Sequence, residues 1–403
     1  MEWIDAATAA QRLGVKPATL YAYVSRGVLR RRHGEDGRRS LFSAEEIERL
    51  ARRGRPRSQP PELVIESSVT ALGVDRPHYR GIDALGLAGT VPFETVAEWL
   101  WTGDRDVWAG ERRTSAGPWR CEPDDGLRAA VAAQRGLPPD LLPLDRLQVI
   151  TTVLGASDTL RFQLDPASVS ATGRRLIAGL VDALPPLGDP QGDSVAERLW
   201  SRLCPSPATP ALLTAMQAAL VLLADHELAA STLAARVAAS ARADPYAVVL
   251  TGLGVLGGPL HGGASYGAER LLAEIAEPGQ AARVIAGRLR RGERVPGFGH
   301  SVYKNGDGRG GVLLDLVRRA APGHGRIAVG EAVLAEMRRR RLPDRNIDFA
   351  LAILAAVGGM VPGAGEAIFA VARAAGWLAH AMEEYERDSL LRLRASYTGP
   401  PIT

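Results

Sequence analysis

Three of the seven histidines in this sequence lie in local settings that suit acid–base chemistry. His226 follows a long apolar run, His261 lies in the glycine-rich segment 257–264, and His300 ends a loop of small residues. Glycines let a backbone approach a ligand closely, and a helix N-terminus attracts anions. An imidazole titrates near neutral pH and can therefore move protons. A lone histidine is more often structural, so each of the three needs further support.

One acid and three arginines add to these histidines, and together they indicate a site for a substrate with several carboxylates. Asp348 opens an apolar helix, where it can either cap the helix or serve as an acid–base group. Arg309, Arg373 and Arg392 are candidate carboxylate clamps, because a guanidinium donates two parallel hydrogen bonds to a carboxylate. Arg373 is the most informative, since an unpaired charge in an apolar helix is costly. The residues alone indicate an acid–base site for a multiply anionic substrate.

The sequence predicts neither a metal site nor a membrane protein. No H-x-x-x-H pair occurs, and the two cysteines, Cys121 and Cys204, support neither a zinc site nor a disulfide framework. The most apolar stretch, 211–224, is too short to span a bilayer, and the mean hydropathy is −0.04. Since the first twenty residues contain no secretory signal, we expect a cytoplasmic protein.

The elements that must position these side chains are mostly helices. From residue 62 onward, Ala- and Leu-rich stretches follow helical spacing, and strand-like alternation is scarce. The clearest predicted helices are Pro210–Ala224, Leu228–Ala241, Ala264–Glu277, Gly330–Arg340 and Gly365–Tyr385. We therefore predict an all-α body of roughly 340 residues, which is longer than most single cores and favours two lobes around a cleft.

The first 57 residues differ from the rest in charge. They carry thirteen basic and seven acidic side chains, a net charge of +6, whereas the whole chain has +4 and the remaining residues therefore −2. A basic segment on a near-neutral body suggests that the segment meets an anion.

The same segment predicts a winged helix-turn-helix over residues 1–54, followed by a linker over 55–64. Two short helices, 6–13 and 17–25, flank a turn at Gly14. Basic strands at 29–33 and 38–42 flank the turn Asp36-Gly37, and Ser43 begins a third helix with a capping-box pattern. Residues 4–50 resemble the N-terminal winged helix-turn-helix domains of the MerR and excisionase families.

This resemblance implies DNA contact, with the second helix in the major groove and the wing arginines on phosphates. The residues expected to face the groove are Thr19, Tyr21, Ala22, Tyr23 and Arg26. A protein-contact or vestigial appendage with solvated arginines is the alternative, because helix-turn-helix patterns also arise by chance.

The segments of the body, taken in order, resemble the citrate synthase family. The matching segments are Tyr79-Arg80-Gly81-Ile82, 93–101, Ala224-Asp225-His226-Glu227-Leu228, 259–264, Pro296-Gly297-Phe298-Gly299-His300, Asn346-Ile347-Asp348-Phe349, 376–380 and Tyr397-Thr398-Gly399. They cover roughly residues 65–400, and their order is more specific than any single motif.

The resemblance implies condensation of oxaloacetate with acetyl-CoA. Asp348 would remove a proton from the acetyl methyl group, His261 would hydrogen-bond the thioester oxygen, and His300 would polarise the ketone and protonate the alkoxide. The carboxylates would be held by His226, Arg309, Arg373 and Arg392, the last supplied by the partner subunit of a homodimer.

The resemblance also implies a CoA site and a division of the body. The CoA adenine and a phosphate would meet Val295, Pro296, Gly297, Phe298, Gly299 and Lys304. Acetyl-CoA or propionyl-CoA would be a co-substrate, with no permanently bound cofactor. The large domain would span 65–262 plus 373–403, and the small domain 263–372 would close over the substrate to exclude water.

The sequence departs from the family pattern at three points. Asp307-Gly308-Arg309 replaces Asp-Pro-Arg, which we expect to loosen the backbone while keeping the guanidinium. Ala229 replaces an Asn, and Arg392-Leu393-Arg394 replaces Arg-Pro-Arg, so either Arg392 or Arg394 could reach the site. We expect a structural role for His380. No role is expected for His33, His78 and His324.

Three hypotheses follow for the function. A citrate synthase with a winged-helix appendage is favoured, because every expected catalytic side chain is present. A 2-methylcitrate synthase using propionyl-CoA is the second, since one methyl group changes recognition by only about 1–3 kcal/mol. The third is a DNA-binding transcription regulator whose body senses a metabolite. Asp348 argues against a purely sensory body, because binding alone does not need a base.

Overall fold

A computed structural model of the chain shows two compact units, Met1–Glu66 and Ser67–Thr403. Each unit has its own apolar core. The residues that the structure describes are 3–13, 15, 17–25, 28–34, 40–47, 50, 64–108, 119–304, 306–387, 389–395 and 397–399.

The N-terminal unit contains the predicted pair of helices. Helices α1 (Ala6–Leu13) and α2 (Pro17–Ser25) have the predicted bounds. Asp5 caps α1, because its carboxylate accepts a hydrogen bond from the Thr8 N–H at 2.7 Å. Residues 44–47 are helical, as predicted from Ser43.

An antiparallel sheet in the order β1-β3-β2 completes this unit. Its strands are β1 (Trp3–Asp5), β2 (Arg31–His33) and β3 (Ser40–Ser43), of which β1 was not predicted. Phe42 pairs with Ile4 on one side and Arg31 on the other. The predicted turn Asp36-Gly37 lies outside the described residues, as does the predicted linker except for Val64.

The body is helical, which confirms the predicted fold class. Its helices are α3 (Ala84–Leu87), α4 (Phe93–Thr102), α5 (Asp125–Arg135), α6 (Pro143–Ser157), α7 (Pro166–Asp182), α8 (Val195–Leu203), α9 (Pro210–Leu223), α10 (Ala230–Ser240), α11 (Pro245–Leu256), α12 (Gly263–Ala273), α13 (Ala281–Arg290), α14 (Gly308–Ala320), α15 (Gly325–Arg339), α16 (Ile347–Gly358) and α17 (Ala364–Glu386). Short 3-10 helices lie at Arg105–Trp108 and Pro278–Gln280. Helices α9 and α11 begin at a proline whose preceding residue, Thr209 or Asp244, caps the first turn.

Two of the five predicted body helices differ from their predicted bounds by four or more residues at one end, and the other three agree within two residues. The helix predicted over 264–277 ends at Ala273, before a separate turn that begins at Pro278. The helix predicted over 330–340 already starts at Gly325, because the His324 side chain accepts a hydrogen bond from the Arg326 N–H and caps it.

A second small sheet, which was not predicted from the sequence, lies at the start of the body. Strands β4 (Thr70–Leu72), β5 (Pro77–Tyr79) and β6 (Ile82–Asp83) pair antiparallel in that order. Two or three residues are too few to show an alternating pattern. The sheet holds Tyr79 against the end of α9, where its hydroxyl donates to the Val221 carbonyl at 2.9 Å.

Helix α17 is the centre of the body and is buried along nearly its whole length. It packs against α4, α6, α7, α9, α10, α11 and α12. At Gly376 it passes very close to the segment that carries His226, since a Cβ there would lie 2.5 Å from the Ala224 carbonyl oxygen and closer still to Asp225. Only glycine permits this approach.

The body, Ser67–Thr403, forms one compact unit. Its division into 65–262 plus 373–403 and 263–372 stays a prediction. In the part of the chain that the structure describes, no helix combines the length and the apolar character needed to cross a bilayer.

Candidate active site

His226 lies in a tight turn at the end of α9. Glu227 beside it has a φ of +51°, a left-handed conformation that is strained for a side chain of this kind. His226 is buried, and its Nε2 lies 3.0 Å from the Tyr303 hydroxyl. Burial, together with the cations Arg309 and Arg373, holds the pKa of His226 well below its ordinary value, so the imidazole is neutral.

A buried network holds this turn from behind. His380 Nδ1 accepts a hydrogen bond from Arg236 Nη1 at 2.7 Å, so its proton lies on Nε2, which donates to Asp225 Oδ2 at 3.2 Å. Arg236 also pairs with Glu383 and Glu384. Both nitrogens of His380 are therefore bonded in the core, which agrees with the structural role expected for it.

His300 lies beside His226, with 5.3 Å between the ring centroids. Its Nδ1 accepts hydrogen bonds from the backbone N–H groups of Val302 at 3.0 Å and Tyr303 at 3.2 Å. The neutral ring therefore carries its proton on Nε2. Burial and the nearby Arg309 lower the pKa of His300 to about 4. His300 thus offers a ligand one N–H donor.

Arg309 is buried at the start of α14 and is oriented by Asp307. The Nε and Nη2 atoms of Arg309 lie 2.9 Å from the two carboxylate oxygens of Asp307. Asp307 also accepts a hydrogen bond from the Ile347 N–H at 3.1 Å, which ties α14 to α16. Arg309 Nη2 lies 3.4 Å from His300 Nε2, and since both are donors, one acceptor oxygen can bond to both.

The loop before Arg309 is anchored rather than loosened. The Gly308 N–H donates to the Asp75 carbonyl at 2.9 Å, a bond that proline cannot make. A Cβ at Gly308 would lie 2.8 Å from the same oxygen, so the close approach needs glycine. The expectation of a looser backbone is wrong.

His261 lies just before α12, and two other residues set the position of its proton. Trp377 Nε1–H donates to Ser231 Oγ at 3.2 Å, and Ser231 Oγ lies 2.7 Å from His261 Nε2. Ser231 is fully buried, and among the described residues this imidazole is the acceptor for its hydroxyl. The His261 proton therefore lies on Nδ1. Burial and Arg373 lower the pKa of His261 to about 4, so it is a neutral donor.

Asp348 lies in the first turn of α16 but does not cap the helix. The cap is Asn346, whose side-chain oxygen accepts from the Asp348 and Phe349 N–H groups at 3.1 and 3.4 Å. Ser265 on α12 donates to Asp348 Oδ1 at 2.5 Å. Burial raises the pKa of Asp348 to about 6. A buried carboxylate with a raised pKa suits general-base catalysis, so the acid–base interpretation is favoured over the capping one.

Arg373 on α17 is buried with its terminal nitrogens free. Its Nε donates to the Leu223 carbonyl at 2.7 Å, but among the described residues neither Nη1 nor Nη2 has a hydrogen-bond partner. Arg373 is 1% exposed, and burial lowers its pKa to about 10, which still leaves it charged at neutral pH. The guanidinium lies 4.6 Å from the Phe369 ring, which in turn contacts His261. A buried cation with two free donors requires an anion, and a carboxylate fits it.

The loop predicted to bind CoA is tied to the start of α16 through its backbone. Gly297 and Gly299 have φ of +82° and +83°, which favour glycine. The Asn346 N–H donates to the Gly297 carbonyl at 3.0 Å, and the Asn346 side chain donates to the Gly299 carbonyl at 3.0 Å. Of the other predicted CoA residues, Val295 is buried, Pro296 and Phe298 are half-buried, and Lys304 is exposed.

The structure brings six predicted residues together and leaves Arg392 apart. The six are His226, His261, His300, Arg309, Asp348 and Arg373, which contact one another or act on one another's pKa. Arg392 and Arg394 are exposed beyond α17, and neither has a hydrogen bond to a described residue. This segment is held by the Leu391 N–H, which donates to Ser240 Oγ at 3.1 Å.

Sequence reasoning missed the residues that orient this set, namely Tyr303, Ser231, Trp377 and Ser265. Tyr303 follows His300 by three residues, and Ser265 follows His261 by four, so short spacing was the signal available for these two. Ser231 and Trp377 lie on separate helices, α10 and α17, and no local pattern connects them to His261.

In the N-terminal unit, part of the predicted groove-facing set is free. Thr19 is exposed and Tyr21 is 40% exposed. Ala22 is half-buried, and Tyr23 packs against the core of the unit. Arg26 lies outside the described residues.

The wing arginines differ in their contacts. Arg30 forms an ion pair with Glu46, and the guanidinium of Arg32 lies 4.5 Å from the ring of Trp3. Arg31 is exposed, whereas Arg38 and Arg39 lie outside the described residues. Arg31 is therefore the described wing arginine most open to a phosphate.

Two family models match the chain. The model of the citrate synthase C-terminal domain matches residues 62–394, and the model of a helix-turn-helix domain matches residues 3–55. Together they account for both compact units.

Relatives and solved structures agree with these matches. Citrate synthase 2 of Bacillus subtilis (strain 168) is 31% identical over 363 residues, which cover 83% of this chain and 93% of that protein. The 2-methylcitrate synthase 2 of Corynebacterium glutamicum is 31% identical over 341 residues, which cover 80% and 88%. The citrate synthase of Thermoplasma acidophilum, in a ternary complex with carboxymethyl coenzyme A and oxaloacetate, is 25% identical with a TM-score of 0.72 over 85% of this chain and 96% of that one. The chain belongs to the citrate synthase family.

Proposed function

We propose that this protein condenses acetyl-CoA with oxaloacetate to give citrate and CoA. The observation that carries the proposal concerns Arg373, whose buried Nη1 and Nη2 have no hydrogen-bond partner among the described residues and lie near Arg309 and the neutral His226 and His261. Arg373 needs an anion, whereas the charge of Arg309 is already balanced by Asp307. Oxaloacetate is a dianion whose two carboxylates can contact both guanidinium groups. The related Thermoplasma acidophilum enzyme was solved with oxaloacetate and a CoA derivative, which supports the same substrates here.

In this proposal oxaloacetate is held mainly by cations. Arg373 and Arg309 bind its carboxylates together with His226, and Arg392 comes from the second subunit of a homodimer. His300 Nε2–H donates to the ketone oxygen, where negative charge develops during attack. The contact between Arg309 Nη2 and His300 Nε2 places two donors around one acceptor oxygen.

The acyl group reacts at Asp348 and His261. The free oxygen of Asp348 removes a proton from the acetyl methyl group, and His261 Nδ1–H stabilises the enol oxygen. The enol carbon then attacks the ketone carbon of oxaloacetate, and His300 gives its Nε2 proton to the new alkoxide. Water cleaves the C–S bond of citryl-CoA and releases citrate and the CoA thiol. No oxidant or reductant is consumed.

CoA would bind along the backbone of residues 295–299, with Lys304 near a phosphate. Because Asn346 is bonded to this loop and caps the helix of Asp348, a contact with CoA would also act on the position of the base. Closure of residues 263–372 over the substrates would exclude water before the enol forms. The cytoplasmic location stays a prediction from the sequence.

The test is release of CoA thiol from acetyl-CoA and from propionyl-CoA, each with and without oxaloacetate, with the product identified by mass. We expect release that requires oxaloacetate, is faster with acetyl-CoA and yields citrate. Faster release from propionyl-CoA would instead assign the activity named for the Corynebacterium glutamicum relative. Folded protein that releases thiol from neither thioester would overturn the proposal.

We also propose that the N-terminal unit contacts DNA. The exposed Thr19 and Tyr21 on α2, the exposed Arg31 on β2 and the helix-turn-helix match support this. Fluorescence anisotropy with a labelled duplex should show affinity that falls steeply with salt. Replacing Arg31 by Ala should reduce the logarithmic salt slope by about 0.9, the value for one lost phosphate contact.

The matched control for this measurement is Arg290→Ala, at an exposed arginine of the body. This variant should leave the salt slope unchanged. Absence of duplex binding even at low salt would contradict DNA contact and leave a protein-contact role for the unit.

A further inference from the structure

Tyr303 lies in the middle of the site but takes no part in the proposed reaction steps. It is 2% exposed, and its ring stacks on His300 with 4.7 Å between centroids and 24° between planes. The Arg309 guanidinium lies 5.6 Å from the same ring, and the Tyr303 hydroxyl lies 3.0 Å from His226 Nε2. One side chain therefore touches three of the residues expected to hold oxaloacetate.

The bond to the hydroxyl fixes the orientation of the His226 ring. The Tyr303 hydroxyl and His226 Nε2 form one hydrogen bond, in which the tyrosine can donate or accept. Burial raises the pKa of Tyr303, so the hydroxyl remains protonated.

This bond joins two segments that are distant in sequence. Tyr303 belongs to the predicted small domain 263–372, and His226 to the predicted large domain. Tyr303 also holds His300, through its N–H at 3.2 Å and through the stacked ring. The relative placement of the two histidines therefore depends on Tyr303.

We propose that Tyr303 is a positioning residue for oxaloacetate, whose hydroxyl orients His226 and whose ring seats His300. The inference rests on the proposed function. Asp348 and His261 are oriented by other residues, Ser265 and Ser231. Loss of the Tyr303 hydroxyl therefore weakens oxaloacetate binding and leaves acetyl-CoA binding and proton abstraction unaffected.

The first test is Y303F, which removes only the hydroxyl. We expect the KM for oxaloacetate to rise roughly five- to tenfold, as for one lost buried hydrogen bond, with kcat and the KM for acetyl-CoA changed less than about twofold. The matched control is Tyr385→Phe, because that buried hydroxyl donates to the Ala243 carbonyl at 2.6 Å away from the site. It should change neither constant.

The second test asks whether the hydroxyl acts through His226. If it does, adding Y303F to His226→Asn gives no further rise in the KM for oxaloacetate, because the two changes remove the same contact. An unchanged KM in Y303F, a rise equal to that of Tyr385→Phe, or full additivity with His226→Asn overturns the proposal.

Calorimetry can measure oxaloacetate binding in the absence of acyl-CoA. This measurement tests the role of Tyr303 independently of whether the protein catalyses the proposed reaction. The Kd should rise in Y303F as the KM does. Parent protein that binds oxaloacetate but releases no thiol would refute the proposed reaction, and the Kd of Y303F would still decide the role of Tyr303. Parent protein that binds no oxaloacetate would overturn both.

Discussion

At the scale of single residues, the chemistry depends on which nitrogen of each histidine carries the proton. His261 carries it on Nδ1, because Ser231 donates to Nε2. His300 carries it on Nε2, because two backbone N–H groups reach Nδ1. The two imidazoles therefore donate from different ring nitrogens, and in the proposed mechanism these donors face the thioester oxygen and the ketone oxygen respectively.

Replacing Ser231 by Ala removes the donor that fixes the His261 proton. We expect kcat to fall roughly tenfold or more, as for loss of a group that orients a functional histidine, with the KM for oxaloacetate unchanged. Steady-state kinetics measures both. Ser157→Ala, at an exposed serine whose hydroxyl bonds within its own helix, is the control and should retain full activity. A kcat equal to that of the parent would contradict the assignment.

The pH dependence should report Asp348. Its pKa is raised to about 6, whereas those of His261 and His300 are lowered to about 4. Only the carboxylate form can take a proton, so kcat/KM for acetyl-CoA should fall about tenfold per pH unit below pH 6.

The variant Ser265→Ala provides a second test of this pH dependence. The Ser265 hydroxyl lowers the pKa of Asp348, so its removal should move the acid limb to higher pH. A parent limb near pH 4 would contradict a raised pKa of the catalytic base.

The sequence allows the reacting groups to be named but not their partners. Asp348, His261 and His300 stand in recognisable local patterns, and Arg373 is conspicuous as a charge in an apolar helix. Trp377 and Ser231 act on His261 through contacts between distant segments, which no local spacing encodes. The proton positions depend on those contacts and therefore need the structure.

At the scale of elements, helix α17 and the turn 225–227 are held together by hydrogen bonds. Gly376 donates to the Ala224 carbonyl at 3.0 Å, and Asp225 is held by His380 of the same helix. The position of His226 is therefore set by how closely α17 approaches. Arg373, one turn before Gly376, enters the site from the same helix.

Replacing Gly376 by Ala should separate these elements. The new Cβ would lie 2.5 Å from the Ala224 carbonyl oxygen, so we expect the free energy of unfolding to fall by roughly 1–3 kcal/mol and the KM for oxaloacetate to rise. Urea unfolding measures the first effect. Gly254→Ala is the matched control, because that helical glycine faces open space and alanine should stabilise by about 0.5–1 kcal/mol. Equal stability of the two variants would contradict the account.

The bounds of a helix were predictable where the sequence contains residues that commonly begin or end helices. Helices α1 and α2 have the predicted bounds because Asp5, Gly14 and Pro17 mark them. Strands β4 to β6 were missed, since pairs and triplets of residues show no period. The end of α12 was misplaced because its sequence stays favourable for a helix up to Glu277, whereas the chain turns before Pro278.

At the scale of the whole molecule, the chain combines two units with separate cores. The basic charge of the first 57 residues and the change in composition after them predict a separate N-terminal segment, and the structure has compact units at Met1–Glu66 and Ser67–Thr403. The site in the body has two buried cations, Arg309 and Arg373, and Arg392 remains outside it. A second copy of the chain is the proposed source of Arg392.

Co-expression of two inactive variants tests whether Arg392 is shared between subunits. In a mixed dimer of Asp348→Asn and Arg392→Ala chains, one of the two sites has both an intact base and an intact arginine. Random pairing then gives about a quarter of the parent activity. A mixture no more active than the separate variants would contradict sharing of Arg392.

The most direct test of the central claim compares the parent with Asp348→Asn for thiol release from acetyl-CoA in the presence of oxaloacetate. The variant keeps the shape and the Ser265 contact but removes the base. We expect loss of at least about a thousandfold in kcat, with oxaloacetate binding by calorimetry unchanged. A variant that releases thiol at the parent rate would contradict proton abstraction by Asp348 and, with it, the proposed mechanism.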